Sequence, residues 1–172
     1  MITLKPLTSE NLTPFYQWIR DEEAIIYSLS IFQGMKTDQQ IKDWYTQSIN
    51  DNRNSNHGIF VDGIFVGYAG ICGISNINKS GEYFIFIGDK NYWGKGIGTR
   101  VTQMMVKMGF EELDLNRIML SVSVPNTGGV KAYERAGFVL EGRFREAALR
   151  NGEFHDKFVM SILKSEWKPQ GR

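Results

Sequence analysis

Apolar and polar residues alternate over residues 2–7, the period of a half-buried strand, and Thr8 or Ser9 then stands where a helix needs a cap. Leu12, Phe15, Tyr16 and Ile19 recur behind that cap at helical spacing. Over residues 20–36 the pattern lapses. Asp21, Glu22 and Glu23 precede Ile25, Ile26, Tyr27, Leu29, Ile31 and Phe32 in no clear period, and no element is predicted there. Thr37 followed by Gln40 is a capping box, and Ile41, Trp44, Tyr45 and Ile49 carry a second helix to about Asn50. Residues 59–61 and 64–66 flank Asp62-Gly63, a dipeptide that favours a type I′ turn, so a hairpin is expected. Residues 82–87 read as the next strand. Beyond a glycine-rich loop, Val101, Met104, Met105, Met108 and Leu113 form the buried stripe of a helix. Ile118, Leu120, Val122 and Val124 alternate along a strand over 117–124, and residues 126–136 form a short helix that Gly137 can end. Two closing strands, about 138–149 and 153–163, meet at Asn151-Gly152, a second type I′ signal. The order is strand, two helices, three strands, helix, strand, helix, two strands, which makes a mixed sheet with helices on its faces.

Candidate chemistry gathers in the loop before the longest helix. Gly94, Gly96 and Gly98 lie between a strand and a helix, where successive backbone N–H groups reach an anion at the positive helix end. Phosphate is the natural guest, and Lys95 adds a cation. The same glycines also suit a plain strand-to-helix turn, so spacing by itself leaves both readings open. A P-loop is excluded because no Lys-Ser/Thr follows the last glycine. A dinucleotide fingerprint requires a glycine three positions after Gly96, where Thr99 stands.

Taken with the following segments, this loop resembles the GNAT superfamily of acetyl-CoA-dependent N-acetyltransferases. Trp93-Gly94-Lys95-Gly96-Ile97-Gly98 is similar to that family's pyrophosphate loop, Gln/Arg-x-x-Gly-x-Gly/Ala. Asn126 through Tyr133 to Gly137-Phe138 is similar to its second signature, Asn-x-x-Ser-x-x-x-Tyr-x-x-x-Gly-Phe. Leu140-Glu141-Gly142, Arg145-Glu146, Asn151-Gly152 and His155-Asp156 resemble the branch holding ribosomal-protein N-terminal and polyamine acetyltransferases. Two positions depart from the pattern: Trp93 replaces Gln/Arg, and Gly129 replaces Ser and so removes a hydroxyl.

The resemblance implies an α/β fold of three layers, α/β/α. Its central mixed, mostly antiparallel sheet has about seven strands, splayed between the fourth and fifth, and a single domain covers residues 1–172. It also implies direct attack of a primary amine on acetyl-CoA in a ternary complex, the amine being a protein N-terminus, a polyamine or an amino sugar. Amides of Gly94, Lys95, Gly96, Ile97, Gly98 and Thr99 would hold the pyrophosphate. Backbone N–H groups near Phe86 and Ile87, where the fourth strand bulges from the fifth, would meet the pantetheine arm and the thioester oxygen. Asn126 would bind pantetheine, and Tyr133 would give its proton to the departing sulfur. Glu82 is the candidate base, directly or through water. The base's burden depends on the acceptor: an amine of pKa about 10.4 is neutral at pH 7 at a cost of roughly 4–5 kcal/mol, an α-amine near 8 at roughly 1–1.4. A homodimer is a further expectation. The alternative class is a non-catalytic acyl-CoA sensor, with the acidic 20–36 segment docking a partner.

Composition narrows the remaining classes. Twenty Lys+Arg against nineteen Asp+Glu leave a net charge of +1, so no global field attracts nucleic acid or an anionic membrane. With one cysteine, Cys72, and two histidines, His57 and His155, neither a disulfide framework nor a metal site is expected. Residues 1–6 lack the apolar stretch of a signal peptide, and the longest uncharged segment, 63–78, is too short and glycine-rich to span a bilayer, so a cytoplasmic location is expected. Cys72 reads as a small buried hydrophobe, His57 as a strand-edge residue, and Met104, Met105 and Met108 as core. Asp156 could bind substrate or the Arg145 side chain, and Glu22 and Glu23 could form an acidic lip for a cationic amine.

Overall fold

The computed structural model describes residues 1–169. Its strands are β1 (Ile2–Pro6), β2 (Ser55–Val61), β3 (Ile64–Ser75), β4 (Ser80–Ile87), β5 (Arg117–Ser123), β6 (Val139–Arg150) and β7 (Glu153–Leu163). The helices are α1 (Thr13–Trp18), α2 (Glu22–Ile25), α3 (Asp38–Asn50), α4 (Ile97–Glu111) and α5 (Thr127–Arg135). One seven-stranded sheet runs in the order β1-β2-β3-β4-β5-β7-β6. Every neighbouring pair is antiparallel except β4 and β5. Those two strands are parallel and pair over only three positions, Ser80–Arg117, Gly81–Ile118 and Glu82–Met119. Beyond Glu82 they part, which is the expected splay.

The sheet separates two cores. On one face, Val101, Met105 and Phe110 of α4 pack against Ile71, Tyr83, Ile118, Leu120 and Met160. On the other, Phe15, Trp18, Ile41 and Tyr45 of α1 and α3 pack against Tyr68 and Phe86. Side chains of β4 alternate between them: Tyr83, Ile85 and Ile87 join the α4 side, Phe84 and Phe86 the α1–α3 side. That alternation fixes which β4 groups look toward the helix and which toward the opposite face.

Local chemistry explains the ends. Asp62 and Gly63 have φ of 49° and 85°, Asn151 and Gly152 of 49° and 76°, so both hairpins turn through left-handed pairs as expected. Thr37 and Gln40 close their capping box at the start of α3. Thr8 does the same with Asn11, but it begins a 3-10 turn over Ser9–Asn11 before α1 rather than one continuous helix. The 20–36 segment, which predicted no element, holds α2 and a 3-10 turn over Ser30–Gly34. Asp21 caps α2 by accepting from the Glu23 and Ala24 amides, and four helical residues are too few to display a period. β3 extends to Ser75, well past the 64–66 run, because both of its faces are covered and alternation disappears. Met105 is fully buried, whereas Met104 and Met108 are half-buried. His57 is not at an edge; it lies inside the sheet between Pro6 and Ala69.

Candidate active site

The parting of β4 and β5 leaves backbone polar groups without a strand partner. Gly88 donates to the Val66 carbonyl at 3.0 Å, and the register between β3 and β4 is unbroken from Gly67–Ile87 to Cys72–Glu82. Antiparallel ladders pair alternate residues, so Phe84 and Phe86 direct their N–H and C=O groups toward β3. Tyr83, Ile85 and Ile87 turn theirs toward the gap. The register slips only beyond Ile87, where the Gly88 and Asp89 amides share the Val66 carbonyl.

A cavity of about 680 Å3 fills this gap, a volume suited to a cofactor-sized molecule. Ile85, Phe86 and Ile87 line it from β4, and Gly94, Gly96, Ile97, Gly98 and Thr99 from the loop and the first turn of α4. Asn126 and Tyr133 line it from the α5 side, and Ala24, Ile26, Tyr27 and Ser28 from the segment around α2. Gly96 is the N-cap of α4 with φ of 74°, a conformation that side chains adopt at a cost, and it supplies no side-chain cap bond. The first amides of α4 therefore face the cavity without a capping side chain, at the positive end of a helix of 15 residues. Lys95 lays its ammonium over the Tyr92 ring, 5.4 Å from the centroid, and does not line the cavity. Trp93 donates from its indole to the Ile87 carbonyl at 2.9 Å, which ties the loop to the end of β4. The Ile87 amide, on the same side of the strand, is left facing the gap.

Asn126 accepts from the Gly129 amide at 3.0 Å as the N-cap of α5, so its amide nitrogen points elsewhere. A Cβ at position 129 would stand 2.6 Å from that nitrogen, so the glycine lets Asn126 fold tightly over the helix end. Tyr133 packs edge-on to Tyr83, centroids 6.1 Å apart, and against Phe138 at 6.2 Å. Burial pushes its phenol up to about 12, so the hydroxyl keeps its proton throughout the neutral range. Glu82 is exposed at the last paired position of β4 and is not among the lining residues.

Residues 1–139 match the family model described as "Acetyltransferase (GNAT) domain". The chain belongs to the GNAT acetyltransferase family. It is 34% identical over 128 residues to the protein of Bacillus subtilis (strain 168) named "Putative ribosomal N-acetyltransferase YdaF", covering 74% of this chain and 69% of that protein. It is 25% identical to the spermidine N(1)-acetyltransferase of Escherichia coli (strain K12), covering 96% and 88%. The solved spermidine N-acetyltransferase of Vibrio cholerae in complex with CoA and spermine superposes with a TM-score of 0.87 at 26% identity, covering 96% of each chain. This GNAT protein is an acyltransferase that moves an acetyl group from acetyl-CoA to an amine.

The other candidate residues of this GNAT protein have contacts of their own. Asp156 does not take Arg145: it accepts from Arg143 Nε at 2.6 Å and from the Glu146 amide at 2.8 Å, pinning a kink where β6 slips register against β7. Cys72 is half-buried on β3, and burial pushes its thiol up to about 11, away from nucleophilic use. Glu22 is exposed outside the cavity, while Glu23 lines it, paired with Lys90 at 2.7 Å. Sequence reasoning missed the wall from Ala24 to Ser28, which carries no periodic signal. It also missed Lys131 and Arg135, cations on α5 that line the cavity. Among the described residues no helix is long and apolar enough to cross a membrane, and no group of three or more His, Cys, Asp or Glu could hold a metal.

Proposed function

We propose that Tyr133 is the general acid and Glu82 the general base of an N-acetyltransferase whose donor lies along the gap between β4 and β5. The observation that carries this reading is the joining, in one cavity, of an uncapped helix start, unpaired strand groups and a half-buried phenol that keeps its proton. Acetyl-CoA supplies the acetyl group activated as a thioester. The residues present fit it: the amides of Ile97, Gly98 and Thr99 would hold the pyrophosphate, with Gly94, Lys95 and Gly96 shaping the loop. Lys131 and Arg135 add positive charge on the same side. The Ile85 and Ile87 amides would receive the pantetheine arm and the thioester oxygen, a task to which the Phe86 amide, directed at β3, does not contribute. The Asn126 amide nitrogen would add a donor from the other side. Tyr133 then holds a proton for the leaving sulfur. Glu82, exposed at the apex of the splay, would accept the amine proton through water, because it stands outside the lining.

Two coarser readings accompany this one. A homodimer is supported by the apolar strip on edge strand β6, where Val139, Leu140, Phe144 and Leu149 are each more than half exposed, an extent unusual for an unpartnered edge. Light scattering tests it. A cytoplasmic location is supported by the single, protonated cysteine. The roles themselves are tested by the kinetics of single variants. Glu82→Gln should lower kcat/KM by about tenfold or more; an unchanged kcat/KM in a folded variant removes Glu82 from the base role.

A further inference from the structure

The segment around α2 supplies the part of the lining left once the loop, β4 and α5 are assigned to the donor, and this wall, taken as the side the acceptor meets, is short of negative charge. Ala24, Ile26, Tyr27 and Ser28 carry no carboxylate, and residues 24–37 contain no Asp or Glu at all. Glu23 is the sole acid lining the cavity among the described residues, and it is already engaged. Lys90 Nζ sits 2.7 Å from its carboxylate and 2.8 Å from that of Asp21, so Glu23 already holds a cation, while Glu22 lies exposed outside the cavity. Lys90 reaches Glu23 across 67 residues of sequence, so the one acid of the run that lines the cavity is ion-paired by a residue that nothing nearby in the sequence announces.

Behind the wall lies a buried cation with no carboxylate partner. Arg150, 4% exposed, donates from Nε to the Ile26 carbonyl at 2.8 Å and from Nη2 to the Ser28 carbonyl at 3.4 Å and the Ser30 hydroxyl at 3.2 Å. Its fourth bond goes to the Leu149 carbonyl at 2.8 Å. All four acceptors are neutral, so the positive charge is undiminished directly behind two residues of the wall. Lys157, on β7, is half-buried and feels both Arg150 and Glu82.

We infer that the acceptor is an amine whose neighbouring groups are uncharged or anionic, of the α-amine kind borne by a peptide or an amino acid, and that this site discriminates against polyamines. The inference rests on the acetyl-transfer reading of the same site, and it sets this chain apart from the Vibrio cholerae enzyme, whose solved complex holds spermine. Each further ammonium of a polyamine would lose water on entering and find no free carboxylate, with Arg150 behind the wall to repel it. An apolar flank meets Ala24, Ile26 and Tyr27 favourably, and an anionic flank meets the surplus positive charge.

The test is free-thiol release by the full chain with acetyl-CoA and a panel of amines: spermidine, free amino acids, and peptides with apolar, acidic or basic second residues. Peptides or amino acids should exceed spermidine in kcat/KM by at least about tenfold, and a basic second residue should lower the value. Amino acids against peptides separates the two sources of an α-amine. Spermidine within tenfold of the best α-amine overturns the inference while leaving acetyl transfer intact. Coenzyme A binding with no thiol release for any amine overturns the acetyl-transfer reading, and this inference with it. Lys90→Leu, which unmasks Asp21 and Glu23, should raise spermidine use severalfold. Ser28→Asp, which installs a carboxylate on the wall without touching Lys90, should do the same, and no rise in either folded variant counts against the inference.

Discussion

Tyr133→Phe removes one oxygen and leaves the ring where it is. The ring's contacts with Tyr83 and Phe138, at 6.1 and 6.2 Å, are made by carbon and persist in phenylalanine. Burial is the whole cause of the raised phenol pKa, with no hydrogen bond contributing, so no partner is left unsatisfied by the change. Thermal stability should therefore hold to within about 1 kcal/mol. A thiolate leaving group would need a proton, and the Tyr133 hydroxyl is a donor among the cavity's lining residues. Losing a positioned acid costs about 10²–10⁴ in rate, or roughly 3–5 kcal/mol of transition-state stabilisation. Steady-state thiol release at saturating acetyl-CoA should show this in kcat, with the acetyl-CoA KM and the dissociation constant for coenzyme A unchanged. Because the hydroxyl titrates near 12, the native enzyme should show no falling limb from this group below about pH 10. A kcat within threefold of the native value, in a variant that folds and binds coenzyme A, would refute the acid role.

The other expectations concern the loop and the fold. Gly96→Ala forces a side chain into φ of 74°, at about 1–2 kcal/mol, and should raise the KM for acetyl-CoA with little change in kcat. Trp93→Phe loses the indole bond to the Ile87 carbonyl, worth about 1 kcal/mol, and calorimetry should find coenzyme A bound several times more weakly. Stability should fall in alkali: burial raises the folded-state pKa values of Tyr45, Tyr68, Tyr83 and Tyr133 above the ordinary value of 10. Their neutral forms stabilise the fold fully below pH 10, and that contribution drains as pH rises toward 12 and beyond. Chemical denaturation at pH 8, 10 and 11 should show a flat stretch followed by a drop.

Much of the site was readable from spacing. Gly94 and Gly96 adopt φ of 71° and 74°, so the loop's glycines mark a conformation other residues resist, and that leaves a direct trace in sequence. Asn126 and Gly137 bracket α5 for the same kind of local reason. The failures were non-local. Nothing near position 93 announces that its indole reaches back to Ile87, and nothing near Glu23 announces Lys90. The placement of Glu82 was half available: β4's alternation puts it with Phe84 and Phe86, on the opposite face from Tyr83, but whether that face opens onto the cavity depends on how α2 packs. α2 itself hangs on one capping aspartate and a buried arginine 124 residues from its carbonyl partner Ile26, contacts that no periodicity encodes.

Gly67 stands on β3, outside the cavity lining, yet a Cβ there would lie 2.2 Å from the Phe86 carbonyl oxygen and 2.8 Å from the Ile87 α-carbon. Peptide planarity couples that carbonyl to the Ile87 amide facing the gap, so crowding the rear of the strand re-aims the donor at its front. Efforts to retune the enzyme toward bulkier acyl groups have a control point here that inspection of lining residues alone would overlook.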